Sequence, residues 1–149
     1  MPSSGKTTLL RDLSRNLSLR LCKKAAVIDE RSEIASCFNG RSMFDLGFCD
    51  IYSGFKKAHG VVQAIRTMSP DYIICDELTG NDIESVVCTV NYGVKLIATV
   101  HCDCLENALK NPSIVSLIRT GAFGTVVFLK SNDFCEIEKI VCREDIGLD

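Results

Sequence analysis

Leu9, Leu10, Leu13, Leu17 and Leu21 recur at helical spacing and predict an amphipathic helix over residues 5–20. Ala25-Ala26-Val27-Ile28 follows as a short continuous apolar run, the pattern of a buried strand, and ends at Asp29-Glu30. From Ile34 to His59 the periodicity breaks. Gly40, Gly47 and Gly54 punctuate this stretch, which also holds Phe38, Phe44, Phe48, Tyr52 and Phe55. So long an irregular segment, rich in aromatics, is expected to pack on a partner surface or another domain. Beyond it the pattern predicts a helix over 61–68 ended by Ser69-Pro70, then a buried strand Tyr72-Ile73-Ile74-Cys75 ending at Asp76-Glu77. Asn81 with Glu84 is the expected cap of a further helix stopped by Gly93, and residues 94–100 form another apolar strand ending at His101. A helix from about Asp103, interrupted at Pro112 and resumed to Gly121, precedes a terminal hairpin of 125–130 and 134–142 joined by Ser131-Asn132-Asp133.

Helices alternating with short apolar strands predict an α/β fold with a mostly parallel sheet flanked by helices and a C-terminal β-hairpin. In such folds ligands bind at the carboxyl ends of the strands. Asp29, Glu30, Asp76, Glu77 and His101 all fall there.

At 149 residues the chain is expected to form a single domain, 1–149. With 46% hydrophobic and 24% charged residues it is neither a disordered chain nor a bare disulfide scaffold. It has neither an 18-residue apolar run nor a secretory leader, so a cytoplasmic location without a transmembrane segment is expected. The nine cysteines are then expected to be reduced thiols. A net charge of −2 supplies no field for nucleic acid, and no direct nucleic-acid partner is expected. Lys6, Arg11, Arg15, Arg20, Lys23 and Lys24 cluster near the start, which fits a solvated helix face plus one phosphate ligand.

Met1-Pro2-Ser3-Ser4-Gly5-Lys6-Thr7-Thr8 matches the tail of the phosphate-binding motif G-x-x-x-x-G-K-[ST] and leads directly into the first helix. In that motif the backbone of Ser3, Ser4, Gly5, Lys6, Thr7 and Thr8 cradles phosphate oxygens. Lys6 reaches the β- and γ-phosphates of ATP, and Thr7 offers its hydroxyl to Mg²⁺. Ile73-Ile74-Cys75-Asp76-Glu77 fits the second half of such a site, with Asp76 in the Mg²⁺ shell and Glu77 polarising the attacking water. A base beside water favours hydrolysis over transfer to another acceptor. His101, or Thr99 before it, stands where a polar group senses the γ-phosphate. His101-Cys102-Asp103-Cys104 has the wrong spacing for the common zinc sites and lacks a second ligand pair.

Ser-Ser-Gly-Lys-Thr-Thr-Leu-Leu-Arg-Asp-Leu at 3–13, Val27 to Ala35 with its Asp-Glu-Arg-Ser-Glu core, and Ile65-Arg66-Thr67-Met68-Ser69-Pro70-Asp71 running on to Asp76-Glu77 resemble the sporulation stage III AA family, within the secretion-ATPase group. The resemblance covers nearly the whole chain. It implies a RecA-like P-loop ATPase core working as a homo-oligomeric, hexameric ring. That ring would lie at the mother-cell membrane face of a channel to the forespore, with membrane proteins as partners. It implies cofactor contacts for Asp29 and Glu30, brings 93–101 into line with the group's histidine box, and makes Arg31 and Arg66 candidates for stabilising phosphate charge. The alternatives are a nucleotide-binding assembly scaffold, or a related ATPase acting on DNA. Two departures stand out. The chain reads Glu77-Leu78-Thr79-Gly80-Asn81 where the family usually has a basic step. The family's N-terminal domain, the strand before the phosphate loop and the loop's first glycine lie outside these residues. That strand is expected to be central, so the 149 residues alone should leave unpaired sheet edges and a gap in the core, fold poorly and hydrolyse ATP weakly.

Overall fold

The computed structural model describes residues 5–102, 104–130 and 135–146. Ser3 and Ser4 of the phosphate-loop reading, Asp103 and the hairpin connection therefore lie outside the described residues. Helix α1 (Lys6–Leu19) leads to strand β1 (Ala25–Asp29), and a long loop reaches β2 (Asp50–Ser53). Then come α2 (Lys57–Met68), β3 (Tyr72–Glu77), α3 (Ile83–Asn91), β4 (Lys95–Thr99), α4 (Leu105–Lys110) and α5 (Pro112–Arg119), before strands β5 (Thr125–Leu129) and β6 (Ile137–Cys142). The first four strands form one parallel sheet in the order β2-β1-β3-β4, and β5 pairs with β6 in a separate antiparallel hairpin.

Both faces of the sheet are covered at its centre, which is why β1 and most of β3 read as unbroken apolar runs. Ala26 and Ile28 of β1 and Ile73 and Cys75 of β3 point to a cluster with Val61, Ala64 and Ile65 of α2, Val86 of α3 and Leu117 of α5. The alternate residues Ala25, Val27 and Ile74 meet Leu10 and Leu17 of α1 on the other face, together with Ile34, Ala35 and Leu46 from the long loop. Gly60 lets α2 press on β1, since a Cβ there would come within 2.7 Å of Ile28 Cγ2. Cys75 is enclosed by this packing and burial pushes its thiol up to about 12. Alkylation at pH 8 should therefore label the exposed Cys22 and Cys142 while Cys75 stays unmodified until denaturant is added; mass spectrometry of the labelled peptides reads this directly.

Three expectations are corrected here. The stretch 34–59 is not wholly irregular, because β2 adds a parallel edge strand beside β1 and α2 begins at Lys57, four residues before Val61. Thr79, not Asn81, caps the turn before α3: its hydroxyl accepts from Asn81 N–H while Asp82 accepts from Thr79 N–H in return. Arg11 is not simply solvated. It donates to Ile34 O at 2.8 Å and Glu33 O at 2.7 Å and stacks over Phe44, tying α1 to the loop. Of the loop aromatics, Phe38 and Phe48 stay exposed, whereas Phe55 packs edge-on to Tyr52 and parallel to His59.

An apolar cavity of about 580 Å³ separates β4 from β5, walled by Leu9 and Leu13 of α1 and by Ile114 and Leu117 of α5. Each of the two strands presents its edge to this cavity without a ladder partner among the described residues. No helix among the described residues is long and apolar enough to cross a membrane.

Candidate functional site

Parallel packing brings the carboxyl ends of β1, β3 and β4 to one edge of the sheet, and the residues just past those ends supply the charges. Asp29 closes β1 fully buried, and its two oxygens accept backbone N–H bonds from Glu33 at 2.9 Å, Ile34 at 3.1 Å and Ala35 at 2.7 Å. Its accepting capacity is thus turned on the loop that follows, and its role in this geometry is to shape that loop. The next residue, Glu30, faces the other way: its Oε2 accepts from the Lys57 backbone N–H at 3.4 Å, placing a carboxylate at the N-terminus of α2, where the helix dipole favours it.

The end of β3 carries an irregularity with chemical effect. Ile74 is level with Ile97 and Glu77 with Thr99, so β3 holds one residue more than β4 between those pairs. This bulge breaks strict alternation and re-aims the acids. Asp76 is buried and lies 3.0 Å from Lys57 Nζ, while Glu77 is half-buried and lies 3.8 Å from Arg31 Nη1 and 3.5 Å from His101 Nε2. Burial pushes the Asp76 carboxyl up from its ordinary value, with the Lys57 charge opposing that rise. Burial likewise works against the Lys57 charge, but the Asp76 carboxylate, with Asp82 and Glu30 behind it, outweighs this and holds the lysine above its usual value. Although Lys57 is close, it approaches off the hydrogen-bonding direction, so Asp76 Oδ1 is buried without a hydrogen bond.

Gly5 precedes α1 in the left-handed conformation, φ +83°, which glycine adopts without strain. A Cβ at Gly5 would fall 2.4 Å from Cys135 Sγ, whose thiol donates to Gly5 O at 3.3 Å. The first turn of α1 holds no acid, and its N–H groups, which a helix's first turn directs outward without partners inside the helix, together with the Lys6 charge make this end electropositive. Thr7 and Thr8 are half-buried in that turn, and Lys6 lines the same cavity as Leu78 and Thr99, residues at the carboxyl ends of β3 and β4. Arg66 is not brought to the cluster. It is exposed in the last turn of α2, nine residues from Lys57 and hence roughly 13 Å away along the helix.

Sequence reasoning thus placed Asp29, Glu30, Asp76, Glu77 and His101 at one edge, the structure sets Arg31 beside Glu77 there, and the sequence reading missed Lys57. The available signal was its position: a lysine opening a helix opposes the macrodipole, and that cost calls for nearby acids. Together these groups can bind an anion at the α1 terminus, hold a divalent cation on Asp76 and keep a carboxylate, Glu77, within reach of water.

No solved structure matches the chain. It is 37% identical over 128 residues to Stage III sporulation protein AA of Bacillus subtilis (strain 168), a match covering 82% of this chain and 42% of that protein. It is 31% identical over 132 residues to Protein SEEDLING PLASTID DEVELOPMENT 1 of Arabidopsis thaliana, covering 78% of this chain and 18% of that one. A ycf45 protein of Cyanidium caldarium is 28% identical over 120 residues, covering 78% and 36%. The chain therefore spans less than half the length of these curated relatives. The family model for sporulation stage III, protein AA, matches residues 1–145, and the chain belongs to that family.

Proposed function

We propose that this chain carries the ATP-hydrolysing core of a RecA-like P-loop motor that assembles as a homo-oligomeric, hexameric ring and energises a channel between mother cell and forespore during sporulation. The observation that carries the reading is the buried Asp76 oxygen, which lacks a hydrogen bond, beside a second strand-end acid, Glu77. A hard divalent cation wants such a carboxylate oxygen, Thr7 supplies a hydroxyl of the type that would join it, and phosphate and water oxygens would fill the rest of the shell. Mg²⁺ bound there would neutralise charge on the phosphates of ATP. Backbone amides from Gly5 to Thr8 and the Lys6 ammonium bind and orient those phosphates. Glu77 accepts a proton from water, and His101, held against it, fixes its direction. Arg31 sits in cis beside Glu77, whereas Arg66, at the far end of α2, can reach phosphate only across an interface with another copy. The sporulation role rests on the name of the Bacillus subtilis relative and on family membership, and the membrane-protein partners on the resemblance to the secretion-ATPase group. The exposed Phe38 and Phe48 suit a contact between copies in the ring.

Binding of a fluorescent ATP analogue tests the site. The unaltered protein should bind in the micromolar range, and Lys6→Ala should weaken binding by about tenfold or more, the scale of one lost charge-assisted phosphate contact. Equal binding by the two proteins would move the nucleotide elsewhere or remove it.

A further inference from the structure

Lys57 is an anomaly that the phosphate-site reading does not use. It is buried, it opens α2 where the helix dipole opposes a cation, and its ammonium lies between two carboxylates from neighbouring strands. Nζ stands 3.0 Å from Asp76 Oδ1 and 3.5 Å from Glu30 Oε2. Asp76 is the deeper of the two acids and Glu30 the more exposed. Leu78 N–H donates to Thr99 O at 2.8 Å, which fixes the backbone beyond Asp76, so the long lysine side chain is the movable partner.

A divalent cation the size of Mg²⁺ binds a carboxylate oxygen at about 2.1 Å, so on Asp76 Oδ1 it would come within about 5 Å of Nζ. Two cations that close in a poorly solvated site repel strongly. Nζ already touches Glu30, and a rotation of the lysine side chain toward that exposed carboxylate relieves the repulsion without unpairing the ammonium.

From this geometry we propose that Lys57 is a tethered cation that occupies the divalent-cation position on Asp76 and transfers to Glu30 when the metal enters. It is a positioning residue, acting through Asp76. The proposal rests on the reading of Asp76 as a metal ligand. It adds an exchange between an internal cation and an external one, so the site does not stand as an uncompensated buried carboxylate between metal-binding events.

The test is Mn²⁺ binding, without nucleotide, followed at pH 7.5 by the loss of the free-ion paramagnetic signal. Lys57→Met should bind Mn²⁺ about tenfold more tightly than the unaltered protein, the gain expected when a like charge is removed from about 5 Å. Lys57→Arg should stay near the unaltered protein, and adding Asp76→Asn to Lys57→Met should abolish the gain. Equal or weaker binding by folded Lys57→Met would overturn the exchange and leave Lys57 as a clamp between strands. The unaltered protein gives a second reading that does not depend on any variant's folding. Reductive methylation of Lys57, read by peptide mass spectrometry, should rise severalfold when Mg²⁺ is added, and an unchanged rate would also overturn the proposal. If Mn²⁺ binding tightens in Lys57→Met while the ATP analogue fails to bind the unaltered protein, the exchange stands and the nucleotide reading falls.

Discussion

Glu77→Gln is expected to lower ATP turnover by about 100-fold or more while leaving ATP binding nearly intact, the scale of losing a positioned general base. Glutamine keeps the size of the side chain and its ability to orient water, but it cannot take the proton. The substitution also removes the negative charge that faces Arg31 at 3.8 Å and His101 at 3.5 Å, so the Arg31 guanidinium loses its ion-pair partner there with little change in packing. Because Glu77 is only half-buried, folding stability should change by less than about 1 kcal/mol. Turnover measured beside a denaturation curve separates the two effects. A variant that hydrolyses ATP at the unaltered rate would take Glu77 out of the chemistry.

The largest effect on stability belongs to the neighbouring strand. Asp29→Ala should destabilise the fold by about 3–5 kcal/mol, because three loop amides, two of them on buried residues, lose a charged acceptor. The loop it shapes also delivers Ile34 and Ala35, both fully buried, to the core face under α1, so the loss would spread into packing. Asp29→Asn retains one carbonyl acceptor and should cost about half as much. Chemical denaturation at pH 7 reads both. A loss below about 1 kcal/mol for the alanine variant would mean that the loop holds its shape without Asp29.

The two core strands β1 and β3 were legible because both of their faces are buried: an unbroken apolar run between helical patterns, too short for a helix and too apolar for an exposed loop, is the pattern of an interior strand. The edge strand β2 was not. Its four residues Asp50-Ile51-Tyr52-Ser53 pair on one side only and carry polar groups at both ends, so nothing in the pattern separates them from loop. The helix cap was ambiguous for a different reason: Thr79, Asn81 and Asp82 are all capping residues, and only the backbone decides which hydroxyl or carboxylate meets which amide. At the site, adjacent acids at strand ends could be placed on one edge but not assigned directions. Asp29 and Glu30 look alike in the sequence, yet one is locked into its loop and the other faces α2. The bulge that turns Asp76 toward Lys57 and Glu77 toward Arg31 and His101 depends on the register with β4. Lys57 itself follows another lysine and reads as surface charge until α2 is docked on the sheet.

The central claim, that the strand-end acids and the Gly5-Lys6-Thr7 turn form one hydrolytic nucleotide site, is tested most directly by phosphate release from ATP with and without Mg²⁺. The account predicts steady release that requires Mg²⁺ and falls to background in both Lys6→Ala and Glu77→Gln. Release at the background rate from a folded protein saturated with ATP and Mg²⁺, or release that survives both substitutions, would contradict it.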